Sequence, residues 1–221
     1  MKATLPALLL GIILASCGPA EPTTEQSPAA VSETATAPES TAELSDLSTD
    51  ESRIATAVLA APEVSRDGAR VIGYNAAGEL VTLREGSNEF VCLADDPNKD
   101  GFSAACYHES LEPFMARGRA LKAEGKTPPE IDEMREREVK DGSLTMGDMG
   151  STLHVLSGPD AMYDPATGEV PGATYRYVVY VPFATAASTG LPESPIAPNH
   201  PWIMDPGTHR AHIMISPTAG N

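Results

Sequence analysis

The chain has 221 residues, with 31 acidic against 15 basic side chains and a formal net charge of −16. Such an excess of negative charge repels nucleic acid and anionic headgroups, so no nucleic-acid partner is expected. Aromatic residues make up only 5% of the sequence, so a core must be built chiefly from Val, Leu, Ile, Met and Ala.

In chain order, the first element is a targeting segment. Lys2 precedes an apolar run from Leu5 to Leu14, too short to span a bilayer permanently, and small residues then lead to Cys17. This is the anatomy of a cleaved secretory signal. The junction Leu14-Ala15-Ser16-Cys17 resembles the lipobox of bacterial lipoproteins, a resemblance confined to residues 1–18. It implies removal of signal peptide 1–16 and acylation of Cys17, with more than one acyl chain because a single chain exchanges. The implied partner is a lipid bilayer, and the implied location is the bacterial cell envelope. Gly18 rather than Asp after the cysteine implies the outer membrane, by the sorting rule of some Gram-negative bacteria, with the chain facing the periplasm or the cell surface.

Residues 17–49 hold the acylated Cys17 and then Ala, Ser, Thr, Pro and Glu, with no Lys, Arg or aromatic side chain. A stretch of that composition buries too little apolar surface to offset its ordering entropy. The expectation is a disordered acidic tether that self-repulsion extends. Residues 50–221 are long enough for a single globular domain.

Within that domain, Ser48-Thr49-Asp50-Glu51 has capping-box form, and Ile54, Val58 and Leu59 follow at helical spacing, which predicts a helix stopped by Pro62. The runs ARVIGYN and LVTLREG flank a turn-prone AAGE and predict a hairpin. EFVCLAD and SAACYH predict a second hairpin that sets Cys92 against Cys106. With Cys17 assigned to lipid, these two cysteines are expected to form one disulfide in an oxidising compartment.

ESLEPFMARGRALKAEG predicts a helix with Leu111, Phe114, Met115 and Leu121 as its apolar stripe, Ser110 as N-cap and Gly125 as its end. Thr127-Pro128-Pro129-Glu130 starts a charged surface helix running to about Lys140. TLHVLSG and TYRYVVYVPF predict strands, the second with Tyr175, Tyr177, Val179, Val181 and Phe183 on one face. A Pro-rich loop then leads to a last strand, THRAHIMIS. Strands on both sides of a helical middle predict an α+β fold with a mainly antiparallel sheet, two or three helices and one disulfide-closed hairpin.

Two groups of residues could hold a ligand. Asp96, Asn98 and Asp100, followed by Gly101, place oxygen donors on alternate residues before a sharp turn, as a calcium loop does. Tyr107 stands where the bidentate glutamate belongs, so the pattern is not an EF-hand, and a polar turn explains the same residues. His200, Asp205, His209 and His212 form the second group, a pool of zinc or iron ligands. In a continuous strand His209 and His212 would face opposite ways, one at the core edge and one solvated. His108-Glu109 does not open a zinc-binding helix, because Pro113 keeps His108 outside the helix that follows.

The sequence carries no G-x-S-x-G, no S-x-x-K and no phosphate-cradling glycine loop. Arg117 and Arg119 could meet an anionic ligand. The expected function is that of a membrane-anchored envelope lipoprotein acting as a binding or structural module for an unidentified protein or small molecule. The alternatives are a metal-assisted enzyme using the C-terminal His/Asp group and a calcium-stabilised binding module.

Overall fold

A computed structural model of the protein describes residues 44–217. The expected signal peptide 1–16, Cys17 and the tether as far as residue 43 lie outside the described residues. The architecture is α+β, with an eight-stranded, mostly antiparallel sheet covered by helices. Among the described residues no helix is long and apolar enough to cross a membrane.

Regular structure begins earlier than the sequence suggests. Strand β1 (Ser45–Asp46) pairs with β7 (Met162–Tyr163) inside the stretch expected to be tether. Helix α1 (Asp50–Ala57) then starts where predicted, but its cap is one residue later than the capping box implies: Thr49, not Ser48, accepts a hydrogen bond from the Ser52 amide at 3.1 Å, and Asp50 and Glu51 sit in the positive first turn. A 3-10 turn, Val58–Ala60, ends it before Pro62.

The predicted hairpins form. β2 (Arg70–Tyr74) and β3 (Leu80–Arg84) are antiparallel, with a bulge between Val71 and Ile72. β3 serves as the crossover that lets β4 (Phe90–Leu93) lie parallel to β2 on its other side. β5 (Phe102–His108) returns antiparallel to β4 with Cys92 opposite Cys106, and the two are joined by a disulfide. β6 (Thr152–Gly158), β8 (Thr174–Tyr180), β10 (His212–Ile215) and β9 (Trp202–Met204) complete the spatial order β3-β2-β4-β5-β6-β8-β10-β9.

Alternation along β5 decides which core each residue joins. Phe102, Ala104 and Cys106 enter the core beneath α1, where Ala57, Ala60, Ala61, Ala69 and Ala94 let helix and sheet approach closely. Tyr107 enters the opposite core with Ile72, Val91, Leu111, Phe114, Val178, Tyr180 and Met214. That core lies under α2 (Glu112–Ala123), which buries Phe114 and Leu121 of the predicted stripe, with Met115 partly buried and Leu111 buried in the turn just before the helix.

The start of α2 corrects one expectation. Ser110 is not the cap: a 3-10 turn, Glu109–Leu111, precedes the helix, and the Ser110 amide donates to His108 Nδ1 at 3.2 Å. At the other end Gly125, at φ 79°, takes the left-handed conformation that a side chain resists, and the Lys126 amide reaches back to the Leu121 carbonyl at 3.1 Å. α3 (Pro128–Lys140) buries no residue, as its charge implies.

The C-terminal third departs most from expectation. β8 stops at Tyr180 because Pro182 has no ladder donor, and Phe183 beyond it turns to φ 62°. The Pro-rich segment contains a short helix, α4 (Ala186–Thr189), and the three-residue β9. The Pro192 carbonyl accepts from the Ile203 amide at 2.9 Å, along the side of β9 away from β10. The last strand is shorter than THRAHIMIS: Thr208 and Ala211 amides bond back to Asp205 and Thr208 carbonyls, so His209 sits in a turn.

Candidate binding cleft

A cavity of about 510 Å³ lies where the C-terminal end of α2 passes over β4 and β5. Its floor is Leu93 and Ala105, cross-strand neighbours on the side of the sheet that Tyr107 shares. The β2–β3 hairpin supplies Tyr74 and Leu80, the β4–β5 loop supplies Asp95, Asp96, Lys99 and Asp100, and α2 supplies Arg119 and Lys122.

Arg119 is held by a network below the cleft. Tyr107, fully buried on β5, donates its hydroxyl proton to Glu112 Oε2 and accepts from Arg119 Nη1 at 2.9 Å. Arg119 Nη2 also contacts Glu112 Oε1 at 2.7 Å, and Arg70 Nη2 reaches the same oxygen at 3.1 Å. Burial, with help from Glu112, pushes the Tyr107 phenol above its ordinary pKa, so it stays a proton donor at every physiological pH. The guanidinium of Arg119 is therefore fixed before any ligand arrives.

The loop of the β4–β5 hairpin forms the acidic wall. Asp95 is buried, and its Oδ1 accepts from the Ser103 amide at 2.8 Å. Burial raises its pKa, the cause that outweighs that hydrogen bond. Asp96 folds the loop as an Asx turn: Oδ1 accepts from the Asn98 amide at 3.1 Å and from Asn98 Nδ2 at 3.2 Å. Its Oδ2 lies 3.3 Å from Lys122 Nζ and 3.4 Å from the Tyr74 hydroxyl. Gly101 has φ 77°, and a Cβ there would stand 2.9 Å from the Gly158 carbonyl oxygen. The glycine expected for a sharp turn is thus required, whereas Asp96 spends its oxygens on donors from within the protein. Asp96, Asn98 and Asp100 share one loop, with Asp96 and Asp100 on the cleft.

The C-terminal residues do not converge. Asp205 pairs with Arg210 Nε at 3.0 Å, and Arg210 also reaches Asp132 of α3 at 2.8 Å. His212 holds Nδ1 2.7 Å from the Arg210 carbonyl, which fixes the proton on that nitrogen, and its ring tilts against Tyr180. His209 meets Phe114 edge-on at 5.7 Å, and its Nδ1 is 3.9 Å from Glu136 Oε2, beyond hydrogen-bond reach. His200 lies beside Trp202 on the Pro-rich segment. Both His209 and His212 are buried, which replaces the expected pair of one core-edge and one solvated histidine. Among the described residues, no group of three or more His, Cys, Asp or Glu side chains is placed to hold a metal ion.

Burial of His154 and His209 gives a pH dependence. Burial depresses the pKa of His154, and burial with the nearby Arg135 charge depresses that of His209. In the unfolded chain both bind a proton near the ordinary histidine value of about 6.5. The unfolded state then holds more protons than the native one, so stability falls as pH drops through that value. The raised pKa of Asp95 acts with the opposite sign, but only in the lower carboxylate range. Urea midpoints at pH 7.5 and pH 5.5 should show the lower value at 5.5, and a His154→Gln, His209→Gln pair should narrow the difference.

Of the cleft residues, the sequence singled out Asp96, Asp100 and Arg119 but missed Tyr74, Asp95, Tyr107, Glu112 and Lys122. A signal existed for one pair: Glu112 and Arg119 are seven apart, two helical turns on one face. No protein-family model, curated protein or solved structure matches the chain.

Proposed function

We propose that the chain is a lipid-anchored module of the bacterial envelope that binds a small molecule in the cleft over β4 and β5. The observation that carries the binding role is the cleft itself. Its volume of about 510 Å³ falls within the roughly 300–1,000 Å³ usual for small-molecule sites, with an apolar floor and a few converging charges. The Leu14-Ala15-Ser16-Cys17 junction supports anchoring through Cys17, and the acidic residues after it support a spacer. Gly18 favours the outer membrane.

The test expresses the full chain in a Gram-negative host fed labelled palmitate. Label should enter the protein and be lost in Cys17→Ala, and the protein should fractionate with the outer membrane. The detergent-purified chain is then melted with millimolar amino acids, dipeptides, carboxylic acids, amines and disaccharides. At least one compound should raise the melting temperature, and Ala105→Trp, which fills the floor, should abolish that rise while leaving the unliganded melt near native. Absence of label overturns the anchor. A panel without effect, or an effect that survives Ala105→Trp, overturns the binding role.

A further inference from the structure

The cleft balances its charges although the chain around it is strongly acidic. Its lining carries the carboxylates Asp95, Asp96 and Asp100 against the cations Lys99, Arg119 and Lys122, while the whole chain stands at −16. All three carboxylates come from the β4–β5 loop, which also carries the exposed Lys99, whereas α2 brings only cations to the cleft, Arg119 and Lys122. Among the described residues, the ion pair joining those walls is Lys122 to Asp96, at 3.3 Å, with Lys122 largely exposed and Asp96 mostly buried.

We infer that the ligand of this cleft is a zwitterion of dipeptide size, its carboxylate meeting Arg119 and Lys122 and its ammonium meeting Asp95 and Asp100. The inference rests on the binding role proposed above. A ligand of a single sign would cover one wall's charges while stripping water from the other's, and buried charge without a partner is costly. A simple anion would also approach against the field of the chain. A neutral apolar ligand would seal Asp95 from water with no counter-charge. A zwitterion avoids all three penalties.

The geometry supports each contact. Arg119 has Nη1 on the Tyr107 hydroxyl and Nη2 on Glu112, so its guanidinium is pre-aligned, and the fork geometry leaves further N–H donors for a planar carboxylate. Asp95 uses Oδ1 on the Ser103 amide, a bond that orients its carboxyl at the cavity wall. Asp100 is exposed and makes no ion pair among the described residues. Lys122 lies 3.3 Å from Asp96, and a zwitterion adds one charge of each sign, so binding leaves the charge balance of the cleft unchanged. Leu80, Leu93, Ala105 and Tyr74 offer an apolar bed for side chains.

Calorimetric titration of the detergent-purified full chain decides the matter, with alanyl-leucine, its N-acetyl derivative and its C-terminal amide as probes. The free dipeptide should bind, and each blocked form should bind about tenfold more weakly or worse, the loss of one charge-assisted hydrogen bond. Lys122→Gln, at an exposed position, should weaken the free dipeptide yet leave the amide unchanged. Asp100→Asn should weaken the free dipeptide yet leave the N-acetyl form unchanged. If blocked and free forms bind alike, or if no dipeptide binds while another compound of the melting panel binds and is lost in Ala105→Trp, the zwitterion is wrong and the cleft's binding role stands. If nothing in the panel or among the dipeptides binds, both readings fall.

Discussion

Phe114→Ala lowers the stability of the domain by about 3–5 kcal/mol, the usual loss for a buried phenylalanine cut to alanine. In a domain of this size that corresponds to a melting temperature lower by roughly 6–20 °C. Phe114 is 2% exposed and stands where α2, α3, β8 and the turn before β10 meet. Tyr180 and His209 present their rings edge-on, at 6.1 and 5.7 Å between centroids, and the Arg135 guanidinium lies 4.0 Å over the Phe114 ring. Removal of the ring leaves a cavity and also strips a buried cation of its π face. Burial depresses the Arg135 pKa although Asp132 Oδ1 accepts from its Nη2 at 3.2 Å, and its Nε has no hydrogen-bond partner among the described residues. Phe114→Leu, which fills much of the same volume, should recover part of the loss. Urea denaturation of both variants at neutral pH measures the difference, and equal midpoints would place the loss in the ring's own contacts rather than in the cavity.

Breaking the disulfide should cost about 3 kcal/mol, the chain-entropy value for a loop of about 15 residues. The double substitution Cys92→Ala, Cys106→Ala should lower the melting temperature by about 6–12 °C. The bond joins residues separated by 14 positions and directly paired across β4 and β5. Both cysteines are fully buried beneath α1, and Cys106 Sγ lies 3.2 Å from the Ala57 carbonyl oxygen. The wild-type melt should therefore fall on full reduction under denaturing conditions and refolding in reductant, whereas the double variant should not respond to reductant. The closed loop carries Asp95, Asp96 and Asp100, so the same variant should bind cleft ligands more weakly than its residual stability alone would imply. A reductant-insensitive wild type would remove both expectations.

What the sequence disclosed follows the range of the forces involved. The Cys92–Cys106 pairing was legible because the assignment of Cys17 to lipid leaves two cysteines, each on a short strand beside a turn-rich loop. The α2 stripe was legible because Leu111, Phe114 and Leu121 keep helical spacing. β9 was not, because three residues directly after Pro201 are too few to show a period. The length of the last strand misled because alternation continues through Thr208–Ala211, where local turns take the backbone hydrogen bonds instead. In the cleft, neighbouring Asp95 and Asp96 look alike in sequence. Only the fold buries Asp95 against the Ser103 amide and turns Asp96 toward Lys122.

The contact between Pro192 and Ile203 has a consequence for how molecules meet one another. An open sheet has two rims, and an unpaired rim is a template on which a second chain can add a strand. At the β9 rim the outward Ile203 amide is already taken by Pro192 of the same chain, and the prolines nearby bring no donors of their own. The β3 rim is different: Leu80 is 41% exposed there, and a bulge opposite Val71 and Ile72 interrupts its register. Among the described residues the sheet thus has one open rim for growth from one molecule to the next, and two copies joined β3 to β3 would close the assembly rather than propagate a fibre.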